Sequence, residues 1–225
     1  MVSDAGRPRV AIMDYGVGNL FSVRHACTHA GMEAVITASR PDILASDAVI
    51  LPGVGAFGDA MVMLEKRGLT DLLREIARSG KPLLGICLGM QLLMTESFEF
   101  GWRPGLGIIP GSVVRLENLS ETDEPVKVPQ VCWNRLHRVE GRGDPWEGTP
   151  LKELPDGVFM YFVHSFYVKP EDDGVSLALT RYGAQRFCSA LRYRNIFACQ
   201  FHPERSGPQG LKIYRNLADI VKASR

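Results

Sequence analysis

Hydrophobic and polar positions follow one rhythm in the first half of the chain and another in the second. Early on, short apolar runs alternate with longer segments of helical period. Arg9-Val10-Ala11-Ile12-Met13 predicts a strand, and the loop Asp14-Tyr15-Gly16-Val17-Gly18-Asn19 follows it. Residues 20–30 fit a helix stopped by Gly31, and residues 34–37 and 48–51 predict two further strands. Residues 59–78 predict a helix broken near Gly68. Leu72, Leu73 and Ile76 form its apolar stripe, and Gly80 and Pro82 end it. Residues 81–86 predict another strand. Leu88, Met90, Leu92, Leu93 and Met94 then predict a helix that is apolar on several sides and therefore buried. This β-α-β-α alternation predicts a parallel sheet.

The second half is richer in short β-prone runs, at residues 111–116, 158–163, 175–180 and 186–193. Turn residues separate them, among them Glu171-Asp172-Asp173-Gly174 and Arg194-Asn195, which favours antiparallel or mixed pairing. Residues 117–157 are rich in Pro, Gly and charge and predict long loops. The chain closes on a helix whose Leu211, Tyr214, Ala218 and Val221 share a face, with Pro208 near its start. No composition break, repeat or low-complexity segment divides residues 1–225. The expectation is one α/β domain, a central mostly parallel sheet flanked by helices with an antiparallel β extension.

Charge changes this picture little. The 225 residues carry 26 Lys and Arg against 25 Asp and Glu, so no nucleic-acid or membrane-surface partner is expected. Residues 1–8 have no apolar core of a signal peptide, and no run is long enough to span a bilayer. The cysteines, Cys27, Cys87, Cys132, Cys188 and Cys199, are odd in number and contain no Cys-x-x-Cys pair. That argues against a disulfide framework and a zinc site, and for a cytoplasmic location. His25 and His29 have helical i, i+4 spacing, but without an intervening Glu they predict a helix face, not a metal site.

The candidate chemistry lies in three segments. In Gly85-Ile86-Cys87-Leu88-Gly89, a nucleophile stands two residues from a glycine on either side, between an apolar strand and a helical segment. This is the pattern of a strand-to-helix elbow, with the thiol at a helix N-terminus that favours thiolate. Taken singly, Cys87 would be a core residue. Downstream, Gln200-Phe201-His202-Pro203-Glu204 follows another apolar run. In extended chain His202 and Glu204 face the same way, so the carboxylate can orient the imidazole and stabilise its charged form. Cys87, His202 and Glu204 thus suggest a nucleophile, base and orienter. The third segment, Pro52-Gly53-Val54-Gly55, offers the Val54 amide as an oxyanion donor beside that of Leu88. Gly53, Gly55 and Gly58 also spell a dinucleotide-binding fingerprint. That reading requires an acid at the end of the next strand, where Cys87 stands instead.

These three segments together resemble the class I, triad-type glutamine amidotransferases, over nearly the whole chain. Asp14-Tyr15-Gly16-Val17-Gly18-Asn19-Leu20, Pro52-Gly53-Val54-Gly55-Ala56-Phe57-Gly58-Asp59-Ala60-Met61 and Tyr161-Phe162-Val163-His164-Ser165 are similar, within that class, to the glutaminase subunits of imidazole glycerol phosphate synthases. The resemblance implies hydrolysis of L-glutamine to glutamate and ammonia without a cofactor. It implies passage of the ammonia to a (β/α)8-barrel cyclase subunit in a heterodimer, to form imidazole glycerol phosphate and an aminoimidazole carboxamide ribotide for L-histidine synthesis. It implies Cys87 as nucleophile, His202 as base, Glu204 as orienter, and Val54 and Leu88 as the oxyanion hole. Glutamine contacts are implied at Gly53, Gln91, Ser165 and Phe166, and interface candidates are Trp133, Asn134 and Arg205. The chain departs from the family in Pro129-Gln130-Val131-Cys132-Trp133-Asn134. Gln130 and Cys132 replace the usual His and Gly of a segment associated with the partner interface and gate.

Other readings stand beside this one. A paralogous glutaminase would feed ammonia to a different synthase, as in sugar amidination. A catalytically silent chain would only regulate or scaffold, against which the intact Cys87, His202 and Glu204 argue. A cysteine peptidase or deglycase of the same architecture is disfavoured by Gln91 and the His-Pro-Glu order.

Overall fold

The computed structural model describes residues 6–119, 125–141 and 143–225. Residues 1–5, and with them most of the N-terminal segment read above, lie outside the described residues. So do residues 120–124 and 142 of the expected loop region. The first half follows the anticipated alternation. Strand β1 (Arg9–Met13) leads through α1 (Leu20–His29) to β2 (Glu33–Thr37), and α2 (Arg40–Ala45) leads to β3 (Ala48–Gly53). Helices α3 (Phe57–Lys66) and α4 (Leu69–Ser79) precede β4 (Leu83–Cys87). They divide at Gly68, whose φ of +64° suits a residue without a Cβ, so the break falls where the sequence places it. The short helix α2 has no counterpart in the sequence reading. Ser39 caps it by accepting from the Asp42 amide, and it contributes a single buried side chain, Ile43.

After α5 (Leu88–Leu92) come β5 (Met94–Ser97), β6 (Arg103–Pro104), β7 (Ile109–Arg115), β8 (Gln130–Arg138), β9 (Val158–His164) and β10 (Phe166–Pro170). Then follow β11 (Ser176–Tyr182), β12 (Gln185–Tyr193), β13 (Ile196–Cys199), a 3-10 turn at Pro203–Arg205 and α6 (Gly207–Ala223). Two expectations need correction. The helix after Cys87 is one short turn, because Met94 already pairs with Ile109 of β7. Its dipole is therefore that of a single turn, much weaker than a full helix would give. Within the supposed loop region, β8 pairs with β9 from Gln130 to Leu136. It was hidden because Gln130 and Leu136 are its only buried residues, so it shows no apolar alternation.

The main sheet has nine strands in the order β2-β1-β3-β4-β13-β12-β11-β8-β9. Strands β2, β1, β3, β4 and β13 run parallel, whereas β12, β11, β8 and β9 continue the same sheet by antiparallel pairing. A second sheet, β10-β7-β5-β6, was not anticipated. Parallel strands covered on both sides bury both faces. Accordingly Ile12, Ile50, Leu84 and Ile86 point into one core, and Ala11, Met13, Val49, Leu51 and Leu83 into the other. Among the described residues no helix is long and apolar enough to cross a membrane.

One consequence of this parallel arrangement positions everything that follows. β4 lies between β3 and β13, with Gly53 opposite Cys87 and Cys199 opposite Ile86. The three carboxyl ends therefore deliver Gly53-Val54, Cys87-Leu88 and Gln200–His202 to one place, where ligands bind open α/β sheets. The elbow at Cys87 is held by close packing. A Cβ on Gly89 would be driven into the Leu51 carbonyl oxygen, and one on Gly85 would crowd Leu93, the Met90 amide and Ala198. Gly89→Ala is accordingly expected to cost about 3 kcal/mol of stability or more, since its obstacle is sheet backbone that cannot yield. Chemical denaturation of the purified variant measures this, and a loss under 1 kcal/mol would contradict the packing argument.

Candidate active site

Cys87 occupies a backbone conformation that side chains rarely adopt, with φ 53° and ψ −110°. Strain of this kind persists only where the surroundings impose it, and here it turns the thiol out of the sheet. Its sulfur lies 3.9 Å from the Val163 carbonyl oxygen and 3.5 Å from the Gln200 side-chain nitrogen. His202 lies in the extended stretch after β13. Its amide donates to the Tyr161 carbonyl at 2.9 Å, which ties the site to the far edge of the curled sheet. The imidazole Nδ1 is 2.8 Å from Glu204 Oε1, and both side chains are almost wholly buried. Pro203 fixes the turn between them. The structure brings the three predicted groups together.

The electrostatics are those of a coupled charge pair. Burial alone would disfavour a charged imidazole, but the Cys87 sulfur and the Glu204 carboxylate overcome this and raise His202 to about 10. Nε2 of the ring is left without a hydrogen-bond partner of its own, on the side where the sulfur acts on it. Three other thiols lie in surroundings that suppress reactivity. Burial pushes Cys27 and Cys188 up to about 12, and Cys199 is raised well above its usual value by burial and by nearby Glu204 and Cys87.

Beside Cys87 opens a cavity of about 400 Å³ lined by Val54, Gly55, Leu88, Gln91, Glu99, Ser165, Phe166 and Arg205, among others. Gly53 does not line it. Its lack of a side chain answers to packing, since a Cβ there would meet the Tyr15 hydroxyl and Leu88. That hydroxyl donates to the Pro52 carbonyl at 2.6 Å, so the loop is anchored up to Gly53. Gly55, with φ +109° and open space around it, is where the loop is free to turn.

Gln91 is buried, and its side-chain nitrogen donates to the Phe166 carbonyl at 2.8 Å and to Gln200 Oε1 at 3.0 Å. Both its N–H groups are thus engaged, leaving its oxygen as the acceptor for a ligand. The Phe166 carbonyl also lies 2.9 Å from His164 Nδ1, and the Ser165 carbonyl accepts from the Leu116 amide. Ligand contacts along Ser165-Phe166 therefore fall to N–H donors. Burial, with a smaller effect of charged His202, lowers His164 to about 4, so it serves as a neutral brace for this turn.

Two residues of the site escaped the sequence reading, Glu99 in the cavity wall and Gln200 buried behind it. Glu99 sits in the loop after β5, where it accepts from the Phe57 amide at 2.6 Å, and burial raises its carboxyl group. Gln200 stands one residue beyond β13 and is wholly buried. Nothing local marks either as functional, since each gains its role from a segment distant in sequence. The surface candidates separate. Trp133, half exposed, packs edge-on against Tyr161 with ring centres 6.1 Å apart, and Arg205 lies 4.8 Å over the same ring. These form one patch at the cavity rim. Asn134 points to the other face of β8 and donates to the Arg181 carbonyl at 2.8 Å.

Comparison with known proteins agrees with this geometry. The family model described as glutamine amidotransferase class-I matches residues 11–220. The chain is 46% identical over 210 residues to the imidazole glycerol phosphate synthase subunit HisH of Geobacter metallireducens, covering 93% of this chain and 97% of that protein. It is 42% identical to the protein of the same name from Thermosynechococcus vestitus, covering 96% and 98%. Among solved structures, the fold matches PurLQS of Thermotoga maritima at 21% identity and TM-score 0.68, covering 95% and 99%. A structure titled glutamine amidotransferase matches at 21% identity and TM-score 0.69, covering 94% and 98%.

Proposed function

Because the chain belongs to the class-I glutamine amidotransferase family, we propose that it is the glutaminase subunit of an imidazole glycerol phosphate synthase. The observation that carries this is the buried Cys87–His202–Glu204 cluster, whose Cys87 lines a cavity of amino-acid size. That cavity has one carboxyl group, Glu99, and one guanidinium, Arg205, which complement the two charges of an amino-acid zwitterion. The Gln91 oxygen adds an acceptor for an N–H group of the substrate.

The chemistry follows from the pair. The Cys87 sulfur attacks the side-chain amide carbon of glutamine, and the carbonyl π electrons move to its oxygen. The amides of Val54 and Leu88 are the proposed donors to that oxyanion. Its collapse breaks the carbon–nitrogen bond while the His202 imidazolium gives its proton to the departing nitrogen. Ammonia leaves and a γ-glutamyl thioester remains. The neutral imidazole then takes a proton from water, whose oxygen attacks the thioester. Glutamate departs, and the thiolate and imidazolium are restored.

The partner in this reading is the (β/α)8-barrel cyclase subunit, which takes up the ammonia. The Trp133–Tyr161–Arg205 patch at the cavity rim is its proposed docking surface, which Asn134 does not join. Free hydrolysis would waste ammonia, and the loop at Val54-Gly55 offers control. If its amide turns away, the oxyanion loses a donor worth about 10²–10³ in rate. A partner that binds one arrangement better shifts the balance toward it. The expected result is a nearly silent isolated chain, with glutamine turnover about 10²-fold higher or more when the cyclase and its acceptor ligand are present. Steady-state glutamate release with and without the cyclase tests both function and gating. No glutamine hydrolysis in either case would refute the function, and equal rates would refute the gate.

A further inference from the structure

Resting on the reading of Cys87 as the glutaminase nucleophile, we propose that Gln200 is a positioning residue that holds the Cys87 sulfur by an amide N–H and orients Gln91 in the substrate cavity. Gln200 is wholly buried one residue past β13, and its own amide donates to the Ser189 carbonyl at 2.9 Å, so its backbone is fixed. Its side-chain nitrogen lies 3.5 Å from Cys87 Sγ, and its oxygen accepts from Gln91 at 3.0 Å. Gln91 donates in turn to the Phe166 carbonyl at the cavity wall. A single amide therefore joins the sulfur to the residue whose oxygen is left for the substrate.

The direction of each bond gives the two ends different tasks. Gln91 presents N–H groups to Gln200 and Phe166, which requires the Gln200 oxygen to face Gln91. The Gln200 nitrogen must then face the sulfur. An N–H donor stabilises a thiolate over a thiol, whereas the Val163 carbonyl, at 3.9 Å, favours the protonated form but is more distant. Gln200 thus complements His202 without itself titrating. The titratable groups that interact with the sulfur from neighbouring elements are His202 after β13, Cys199 at the end of β13, and Tyr15 just past β1, and Glu204 acts in turn on His202 and Cys199. Glu99 and His164 line the adjoining cavity.

Two substitutions separate the tasks. Gln200→Glu removes the donor to sulfur but keeps an acceptor for Gln91. Gln200→Met keeps the volume and removes both. The direct readout is the pH profile of iodoacetamide alkylation at Cys87 in the purified full chain, followed by mass spectrometry, with far-UV circular dichroism to verify folding. Loss of a hydrogen bond to a charged group is expected to slow alkylation at neutral pH at least about tenfold in both variants and move the profile to higher pH. With the cyclase subunit present, Gln200→Met is also expected to raise KM for glutamine several-fold, with Gln200→Glu closer to the parent. An unchanged alkylation profile in either folded variant overturns the clamp. Equal KM in the parent and Gln200→Met overturns the orienting role. Because alkylation does not depend on glutamine, it separates this inference from the proposed function. Absence of glutamine hydrolysis by the parent chain with the cyclase subunit present would defeat the latter alone.

Discussion

Replacing Cys87 with alanine is expected to lower glutamine hydrolysis by at least about 10⁴-fold while leaving the fold intact. The magnitude follows from loss of the nucleophile of a cooperating set, in which the remaining groups have no thioester route to assist. The intact fold follows from the elbow itself. Alanine keeps the Cβ and meets the same φ of 53°, so it neither relieves nor adds much backbone strain. The glycines that allow the close approach, Gly85 and Gly89, are untouched. A glutamine-analogue chloroketone should label Cys87 alone. Cys27, Cys188 and Cys199 are buried with thiols held in the neutral form, and partly exposed Cys132 serves as a control for indiscriminate alkylation. Labelling with this reagent at Cys132, or activity in Cys87→Ala within tenfold of the parent, would remove Cys87 from its assigned role.

The sequence was most legible where a short segment determines its own geometry. Gly85-x-Cys87-x-Gly89 marks an elbow by the spacing of its own residues, although what excludes a Cβ at Gly89 is the Leu51 carbonyl of β3. His202-Pro203-Glu204 likewise carries its orientation within three residues. The parallel half of the sheet was readable because strands buried on both faces are apolar runs. What was hidden depends on partners far along the chain. Strand β8 shows no apolar alternation because most of its residues are exposed or only partly buried, and it is recognisable only once paired with β9. The chain leaves α5 after one turn because β7 is waiting to pair with Met94. Gln200 stands directly before Phe201-His202, in a segment whose reading gave it no role of its own. Its function exists only because β13 adjoins β4 and Gln91 reaches across. Glu99 is another such case, fixed through the amide of Phe57.

Removing the base should have the next largest effect. His202→Ala is expected to lower glutamine turnover by about 10²–10⁴-fold, since the leaving nitrogen loses its proton donor and the attacking water loses its base. Glu204→Gln should cost less. The amide oxygen can still accept from His202 Nδ1 across the 2.8 Å contact, which keeps the tautomer with Nε2 toward the sulfur. What it loses is charge. Glu204 helps raise the imidazole above its ordinary value, so its replacement lowers the pH at which the imidazolium surrenders its proton. The imidazolium is the acid for ammonia departure, and the alkaline limb of the rate profile must therefore move toward lower pH in Glu204→Gln. The deficit of this variant grows as pH rises from neutrality. Steady-state rates across pH 6–10, measured with the cyclase subunit present, test both points. A Glu204→Gln variant more impaired than His202→Ala, or one whose alkaline limb stays in place, would mean that Glu204 acts on something other than the charge of His202.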